Sequence, residues 1–466
     1  MTEILWNGKE VLGIINGHGS CNWFASGISI DTRTLNKGDI FFALPGLNND
    51  GNDFIEDALN KGACAAISNR PSLVNSKKVI FVNDVYKALN KLANYARQRT
   101  KAKIIGITGS SGKTTLKEMI SSCLVDYGKV HKSERSFNNH IGVPLSLARM
   151  PIDVDYAVFE IGMNNKGEIL KLTNLIKPHI GIVNNVGEAH IGNFHSKKDL
   201  IEEKLSIIEG IADGGSLIIN ENLKSDLDIN IIKNKSLNIS TFGVLEDSDT
   251  YLKENIEIDN GSVLKVKIKD KIINYTLAIS GEHMALNTLP ALMTCKITNN
   301  PTEKFIKKLS NFKNIEGRGN TFNLNFLGKS LSIINESFNA NPNSMEAAII
   351  SFNNLNSKSC LRKVLFIGDM MELGRFSENY HKKIAQLINN TSIDIVYAVG
   401  EEIRYLWEEI DFQKKGALFQ NVDQVILNLQ DLFDNNDVVM LKASSKINFS
   451  KVIKEINTQK PIRKIA

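Results

Sequence analysis

Gly109, Ser110, Ser111, Gly112, Lys113 and Thr114 place two glycines, a lysine and a hydroxyl within six residues. That set can build a phosphate-binding loop. Glycines let backbone N–H groups turn inward around phosphate oxygens, the lysine reaches the terminal phosphates, and the threonine hydroxyl sits on a magnesium ion. Thr115 extends the hydroxyl pair. The flanks fit: Ile104, Ile105 and Ile107 read as a buried strand, and residues 116–124 have helical spacing. The helix dipole would then face the anion. The pattern is GxxGK[ST], shorter than the commoner GxxxxGK[ST], so the strand and helix around it carry much of the assignment. It reads as a nucleotide site.

A phosphate loop needs a metal partner. Glu160 closes the strand-like run YAVFE, and His190 follows the strand-like HIGIV and the turn NNVG. Both lie at C-terminal ends of expected parallel strands, where open α/β sheets bind ligands. Magnesium or its water shell is one reading of the pair. A buried glutamate satisfied by backbone, and a capping or core histidine, is the other.

The elements that would position these residues repeat strand and helix. Residues 1–83 alternate short strands (ISIDTR, DIFFAL, CAAIS, KVIFV) with one clear helix at 53–61, and a turn-rich loop at 45–53. A helix at 84–99 leads into the phosphate-loop strand. From there to about 316, strands and helices alternate, which predicts a mostly parallel, doubly wound sheet. Residues 250–280 interrupt it with short strands, and helices follow at 285–295 and 303–312. After Gly317-Arg318-Gly319 the alternation restarts, with strands in LSIINES, KVLFIGD, DIVYAVG and DVVMLKA. The fold class is therefore α/β in three domains: a small N-terminal module, a central P-loop domain, and a C-terminal Rossmann-like domain.

With 466 residues the chain exceeds one core. A net charge of +5, spread along the chain, gives no basic track for nucleic acid. A P-loop motor would also show the longer loop and a Walker-B strand ending in Asp. Five scattered cysteines without CxxC suit a reducing compartment. No signal-peptide pattern opens the sequence, and no run approaches the ~18 apolar residues of a membrane span. A cytoplasmic protein with no membrane span, acting as a monomer, is expected.

Several stretches together resemble the Mur ligase family along nearly the whole chain. They are GISIDTRTLNKGDIFFALPG and NDGNDFIEDALNKGA; then GITGSSGKTT, SFNNHIGVPLSL, FEIGMNNKGEI, NNVGEAHIGNF, GEHMALNTLPAL and EGRG; then ESFNANPNSMEAA, LFIGDMMELG and His381. ESFNANPNSM and GDMMELG are similar to the branch that joins D-alanyl-D-alanine to UDP-N-acetylmuramoyl-tripeptide. Another Mur-type ligase, or a folylpolyglutamate-type ligase, is the alternative within the fold.

The resemblance implies ATP and Mg2+ as cofactors, an acyl phosphate intermediate, and three domains. Residues 1–83 would bind the UDP-sugar peptide, 84–316 ATP, and 317–466 would close over both. Thr32, Arg33, Asn48 and Asp50 would hold the UDP-linked substrate, and Asn138 and Asn139 a region near nucleotide and acceptor. Gly109 to Thr115 would hold phosphates, with His283 and Asn287 beside adenine. Thr114, Glu160 and His190 would serve the metal. Arg318 would reach the phosphates, with Asn339 and Asn341 facing nucleotide and amine. Lys113, His190, Lys204 and Arg318 would be the catalytic set.

Lys204 corresponds to a lysine carbamylated in several members. It shares a helix face with Leu200 and Ile208, so it points inward. Burial favours the neutral amine that reacts with carbon dioxide. A lysine that reaches solvent or pairs with a glutamate is the other reading. Two departures stand out. Asn335-Glu336 and Phe338 replace the usual Asp-Asp and Tyr, and Lys442-Ala443-Ser444-Ser445 replaces Lys-Gly-Ser-Arg, with Lys446 next along.

Overall fold

A computed structural model describes residues 3–46, 49–71, 77–258, 261–355 and 362–458. Asn48 lies outside them. Three larger sheets and one two-stranded pairing are formed by the described residues. The first is wholly parallel, in the order Gly27–Ser29, Asp39–Phe42, Ala65–Ser68, Val79–Phe81. Beside it, Trp6–Asn7 pairs with Phe24–Ala25.

The expectation of one helix in this region is corrected: a second spans Gly8–Ile15. The Asn7 side chain caps it by accepting from Glu10 N, and Asn16 ends it in a left-handed conformation. Eight residues are too few for the apolar spacing to declare it. The helix expected at 53–61 is a 3-10 turn, Gly51–Phe54, running into Ile55–Asn60.

The central sheet has nine strands. From Val130–Lys132 the order runs through Tyr156–Glu160, Lys103–Thr108, Ile180–Val183, Ser216–Asn220 and Asn238–Gly243 to Thr250–Ile258, all parallel. Gly261–Ile268 and Lys271–Leu277 then extend it antiparallel, so the expected interruption at 250–280 is an edge extension of the same sheet. The chain leaves Lys103–Thr108 toward one edge and returns to pair on its other side. The phosphate loop thus sits at a topological switch point, where such sheets bind ligands.

Alternation along the strand serves two cores. Ile105 and Ile107 face Leu116, Met119 and Ile120 of the helix Lys113–Leu124, together with Leu289 and Leu292 of Glu282–Ile297. Ile104 faces the opposite layer, with Leu89 and Leu92 of Val85–Arg99. The helix expected from 285 begins at Glu282, which brings His283 into its first turn.

The third sheet runs Asn320–Phe326, Lys329–Glu336, Asp437–Lys442, Arg362–Gly368, Ile395–Val399, Lys415–Phe419, with only the first pair antiparallel. No described helix is long and apolar enough to cross a membrane.

Candidate active site

The Gly109–Lys113 turn links strand to helix through Gly112, which caps the helix at φ +77°. A Cβ there would meet the Asn184 and Asn287 side-chain amides at 2.7 and 2.8 Å. Only glycine fits both constraints. The loop is held from below by the strand end next door. Asn185 Oδ1 accepts from Ser110 N and Ser111 N at 3.1 and 2.9 Å. The Asn184 amide donates to Ser111 O and to Asn287 Oδ1. Ser110 Oγ exchanges hydrogen bonds with the Gly187 backbone.

Glu160 enters beside the loop because Tyr156–Glu160 pairs in register with Lys103–Thr108, opposite Ile107. Its Oε2 accepts from Thr114 Oγ1 at 2.6 Å, and its Oε1 from Asn138 Nδ2 at 2.6 Å. Lys113 Nζ folds back onto Gly109 O at 2.6 Å. Burial pushes the Lys113 ammonium below its ordinary range, against the pull of Glu160.

From the turn that precedes the third sheet, Arg318 donates to Thr114 Oγ1 at 2.9 Å and Ser136 Oγ at 3.3 Å. Its guanidinium lies 4.3 Å over the Phe338 ring, a stacking contact that needs no tyrosine hydroxyl. Asn341 caps the helix Pro342–Asn353 and donates to Ser111 Oγ at 3.1 Å. Ser111, Gly112 and Arg318 line a cavity of about 370 Å³ with His283, Asn287, Glu336, Asn339 and Lys442. A larger open groove of about 890 Å³, between Gly8–Ile15 and Val85–Arg99, contains none of them.

A magnesium ion fits the donors present. Thr114 and Glu160 supply a hydroxyl and a carboxylate side by side. No three His, Cys, Asp or Glu side chains among the described residues form a cage of their own. That suits a cation that takes the rest of its shell from water and substrate phosphates.

Three family models cover most of the chain: the Mur ligase family catalytic domain over residues 25–112, the Mur ligase middle domain over 107–295, and the Mur ligase glutamate ligase domain over 324–445. The UDP-N-acetylmuramoyl-tripeptide–D-alanyl-D-alanine ligase of Rickettsia prowazekii is 33% identical over 457 residues, 97% of this chain and 99% of that protein. The chain belongs to the Mur ligase family. The crystal structure of MurF from Acinetobacter baumannii superposes with a TM-score of 0.83 at 26% identity, covering 97% of this chain and 98% of that one. MurF ligase from Thermotoga maritima, solved with ADP, gives 0.76 at 25% identity, over 93% and 97%.

As in other Mur ligases the fold is three α/β domains, and the remaining expected residues distribute unevenly over them. Lys204 is buried in Lys197–Leu205, and its Nζ makes no hydrogen bond or ion pair with the described residues. The single helix expected over 198–209 is broken at Ser206, yet Leu200, Lys204 and Ile208 all stay inside. Burial, reinforced by the nearby Lys113 charge, holds its amine well below the lysine range.

His190 does not touch Glu160; its Nδ1 meets the Glu372 carboxylate, out of line for a hydrogen bond. His283 lines the cavity with its side chain exposed, and desolvation by the surrounding protein lowers its pKa. His381, quoted with the family stretches, is buried; its Nε2 accepts from Met370 N and its Nδ1 donates to Ser377 O, and it does not line the cavity. Asn139 spends its side-chain oxygen on Ile141 N and Gly142 N at the start of Gly142–Ala148.

In the first domain, Thr32 is buried while Arg33 is tied bidentately to Asp31. Asp50 pairs with Arg70 and Asn52. None of the three lines the phosphate cavity. Arg149 donates to Ile28 O, so the 29–33 turn lies against the central domain near Gly142–Ala148.

The altered C-terminal motif has a clear local account. Lys442 is buried, bonds the Asn339 carbonyl and lies 3.6 Å from the Glu336 carboxylate. Ala443 packs against Gly368. Ser445 and Lys446 are exposed.

Sequence reasoning passed over Lys117. It is fully buried and donates to Ser133 O and Arg135 O at 2.7 and 2.5 Å, fixing the loop that carries Ser136 and Asn138. A lysine among Leu116, Met119 and Ile120, four residues after Lys113, was the available signal.

Proposed function

We propose that this chain is an ATP-dependent carboxylate–amine ligase that joins D-alanyl-D-alanine to UDP-N-acetylmuramoyl-tripeptide, a cytoplasmic step in making a peptidoglycan precursor. The observation that carries it is one set of hydrogen bonds: Arg318 donates to Thr114, Thr114 to Glu160, and Asn341 to Ser111 of the phosphate loop, beside a cavity that Ser111, Gly112 and Arg318 line. The near-full-length likeness to ligases of that name supports the substrate pair.

A carboxylate and an amine do not condense readily in water, so the carboxylate is first activated by the γ-phosphoryl group of ATP. Lys113 leaves the Gly109 carbonyl and pairs with the phosphate oxygens, while Arg318, steadied by Phe338, neutralises charge on the transferring group. Thr114 and Glu160 would hold a magnesium ion, which when bound would supply further charge stabilisation there. The dipeptide amine attacks the acyl phosphate, a tetrahedral adduct collapses, and phosphate leaves. Docking of the third domain excludes the water that would hydrolyse the acyl phosphate. In this scheme residues 1–83 bind the UDP-sugar peptide through Thr32, Arg33 and Asp50, residues 84–316 bind ATP, and 317–466 present the amine.

The test is phosphate release from ATP with UDP-N-acetylmuramoyl-tripeptide, carrying lysine or meso-diaminopimelate, and D-alanyl-D-alanine. Release should require both substrates and yield a product heavier by the dipeptide less one water. Release indifferent to the dipeptide, or no such product with either tripeptide, would overturn the proposal.

A further inference from the structure

Lys117 stands one turn beyond Lys113 on the helix Lys113–Leu124 and is fully buried. A buried ammonium is costly unless its N–H groups are matched. Here Nζ donates to Ser133 O at 2.7 Å and to Arg135 O at 2.5 Å, and it lies 3.2 Å from the Glu118 carboxylate. Arg135 is left-handed at φ +47° without being glycine, a conformation that side chains rarely accept unless the surroundings impose it. Its carbonyl is one of the two that the lysine holds. An apolar side chain at 117 would suit Leu116, Met119 and Ile120, yet it would leave both carbonyls without this donor.

The loop held in this way faces the phosphate loop. It starts against the strand Tyr156–Glu160, where Ser133 N donates to Val158 O and Ser133 Oγ accepts from Glu160 N at 3.3 Å. It ends where Asn138 O accepts from Gly162 N at 2.8 Å. Between these anchors, Ser136 Oγ lies 3.2 Å from Thr114 Oγ1 and accepts from Arg318, and the Asn138 amide donates to Glu160 Oε1 at 2.6 Å. Thr114 and Glu160 are thus each met by a side chain of this loop. The helix that presents Lys113 and Thr114 also carries the lysine that fixes the loop, so the bracing closes on itself.

We propose that Lys117 is a positioning residue for the phosphate-loop corner: by gripping Ser133 O and Arg135 O it fixes Ser136 and Asn138 against Thr114 and Glu160. The phosphate loop itself is held separately, by Asn184 and Asn185. Losing Lys117 therefore disturbs turnover more than nucleotide binding. A misplacement of about 1 Å near reacting groups can cost about 10²-fold in rate. The consequence for turnover rests on the ATP-ligase reading of the site, whereas the bracing itself does not.

Lys117→Met keeps the bulk of the stem and removes the donor. Its turnover per folded molecule should fall by about 10²-fold, with affinity for a non-hydrolysable ATP analogue, measured by calorimetry, near wild type. Lys117→Gln, which keeps a neutral N–H donor, should fall between, and it takes the same measurements if the methionine variant folds poorly. In a Ser136→Ala/Asn138→Ala background the Lys117 substitution should cost little more, because the lysine acts through those two residues. A lysine that only stabilises the fold would lower the urea midpoint and leave turnover per folded molecule unchanged. That outcome would overturn the proposal, as would a Lys117 effect of full size in the Ser136/Asn138 background. Amide hydrogen exchange reads the brace without ligation: Gly162 N should exchange about tenfold or more faster in Lys117→Met, for loss of charge-assisted bonds to the loop. Unchanged Gly162 exchange would sink this proposal alone, whereas failure of the ligase reading would show as absent product in the wild-type protein.

Discussion

The phosphate loop and the Asp31-Thr32-Arg33 turn both follow the C-terminal end of a parallel strand, and both are polar. They differ in what holds them. The loop's groups are buried or half-buried and bonded across distant segments: Asn185 to Ser110 and Ser111, Glu160 to Thr114 and Asn138, Arg318 to Thr114. Arg33 is 86% exposed, and its partner is two residues away. A site assembled from distant segments is preorganised, which is what transition-state charge stabilisation requires. A site of local, exposed pairs must be assembled by its ligand. The phosphate-loop corner should therefore be intolerant of small changes, and the first-domain turn should respond only in substrate affinity.

The largest effect is expected from Lys113→Ala. Ligation should fall by about 10³-fold or more, because the terminal phosphates lose their lysine in a buried site. Binding of the UDP-tripeptide, measured by calorimetry, should stay near wild type. Retained turnover would remove the loop from the reaction. Gly112→Ala should come next. Its Cβ would collide with the Asn184 and Asn287 amides at a backbone conformation alanine avoids, so nucleotide affinity should drop about tenfold or more. Unaltered ADP binding would show the corner to be softer than its contacts imply.

How much of this could be read beforehand follows the same divide. Strand, glycine loop and helix are consecutive in sequence, so Lys113 and Thr114 were legible at once. Glu160 was legible as a strand end, though its bonds to Thr114 and Asn138 depend on sheet register. Lys117 was missed because a lysine in a helix normally reads as surface, and only the fold shows carbonyls enclosing it. The Gly8–Ile15 helix was missed because it is short and set by one asparagine cap. The Glu372 contact with His190 joins residues far apart in the chain, and no local pattern announces it. Asn139 is placed near nucleotide and acceptor by resemblance alone; no local pattern announces that its oxygen accepts from Ile141 N and Gly142 N.

Acid should expose the contrast in stability. Burial pushes His131 and His179 down to about 4, and both lie in the central domain. His179 Nδ1 accepts from Ile104 N at 2.9 Å, on the strand that enters the phosphate loop. The unfolded chain takes up these protons near pH 6.5, while the folded chain resists until about 4. Their contribution is therefore complete above about pH 6.5 and declines as pH falls toward 4, by at most about 1.4 kcal/mol per pH unit for each ring. Partial exposure of both rings reduces that figure. Urea unfolding at pH 7 and pH 5 tests it, in a window above most carboxylate titration. Stability that is flat or higher at pH 5 would contradict it.

The smallest effect on the folded protein is expected from Arg33→Ala, and it is the sharpest test of the first-domain turn. Arg33 is bound to Asp31 by three hydrogen bonds, two to one oxygen and one to the other counting the shared Nε. The pair keeps the Asp31 carboxyl below its usual range, chiefly through the hydrogen bond from Arg33. Because the arginine is solvated, the pair adds little to stability, and the melting temperature should not move. A planar guanidinium at a strand end is suited to a pyrophosphate or a uracil oxygen, and binding would require it to leave Asp31. The Michaelis constant for the UDP-tripeptide should then rise about tenfold, as for loss of one charge-assisted contact, with that for ATP unchanged. Asp31→Asn should act in the opposite direction, freeing Arg33 and lowering the same constant. Equal changes for both substrates would mean that the turn and the phosphate corner are one site, and the contrast between them would fail.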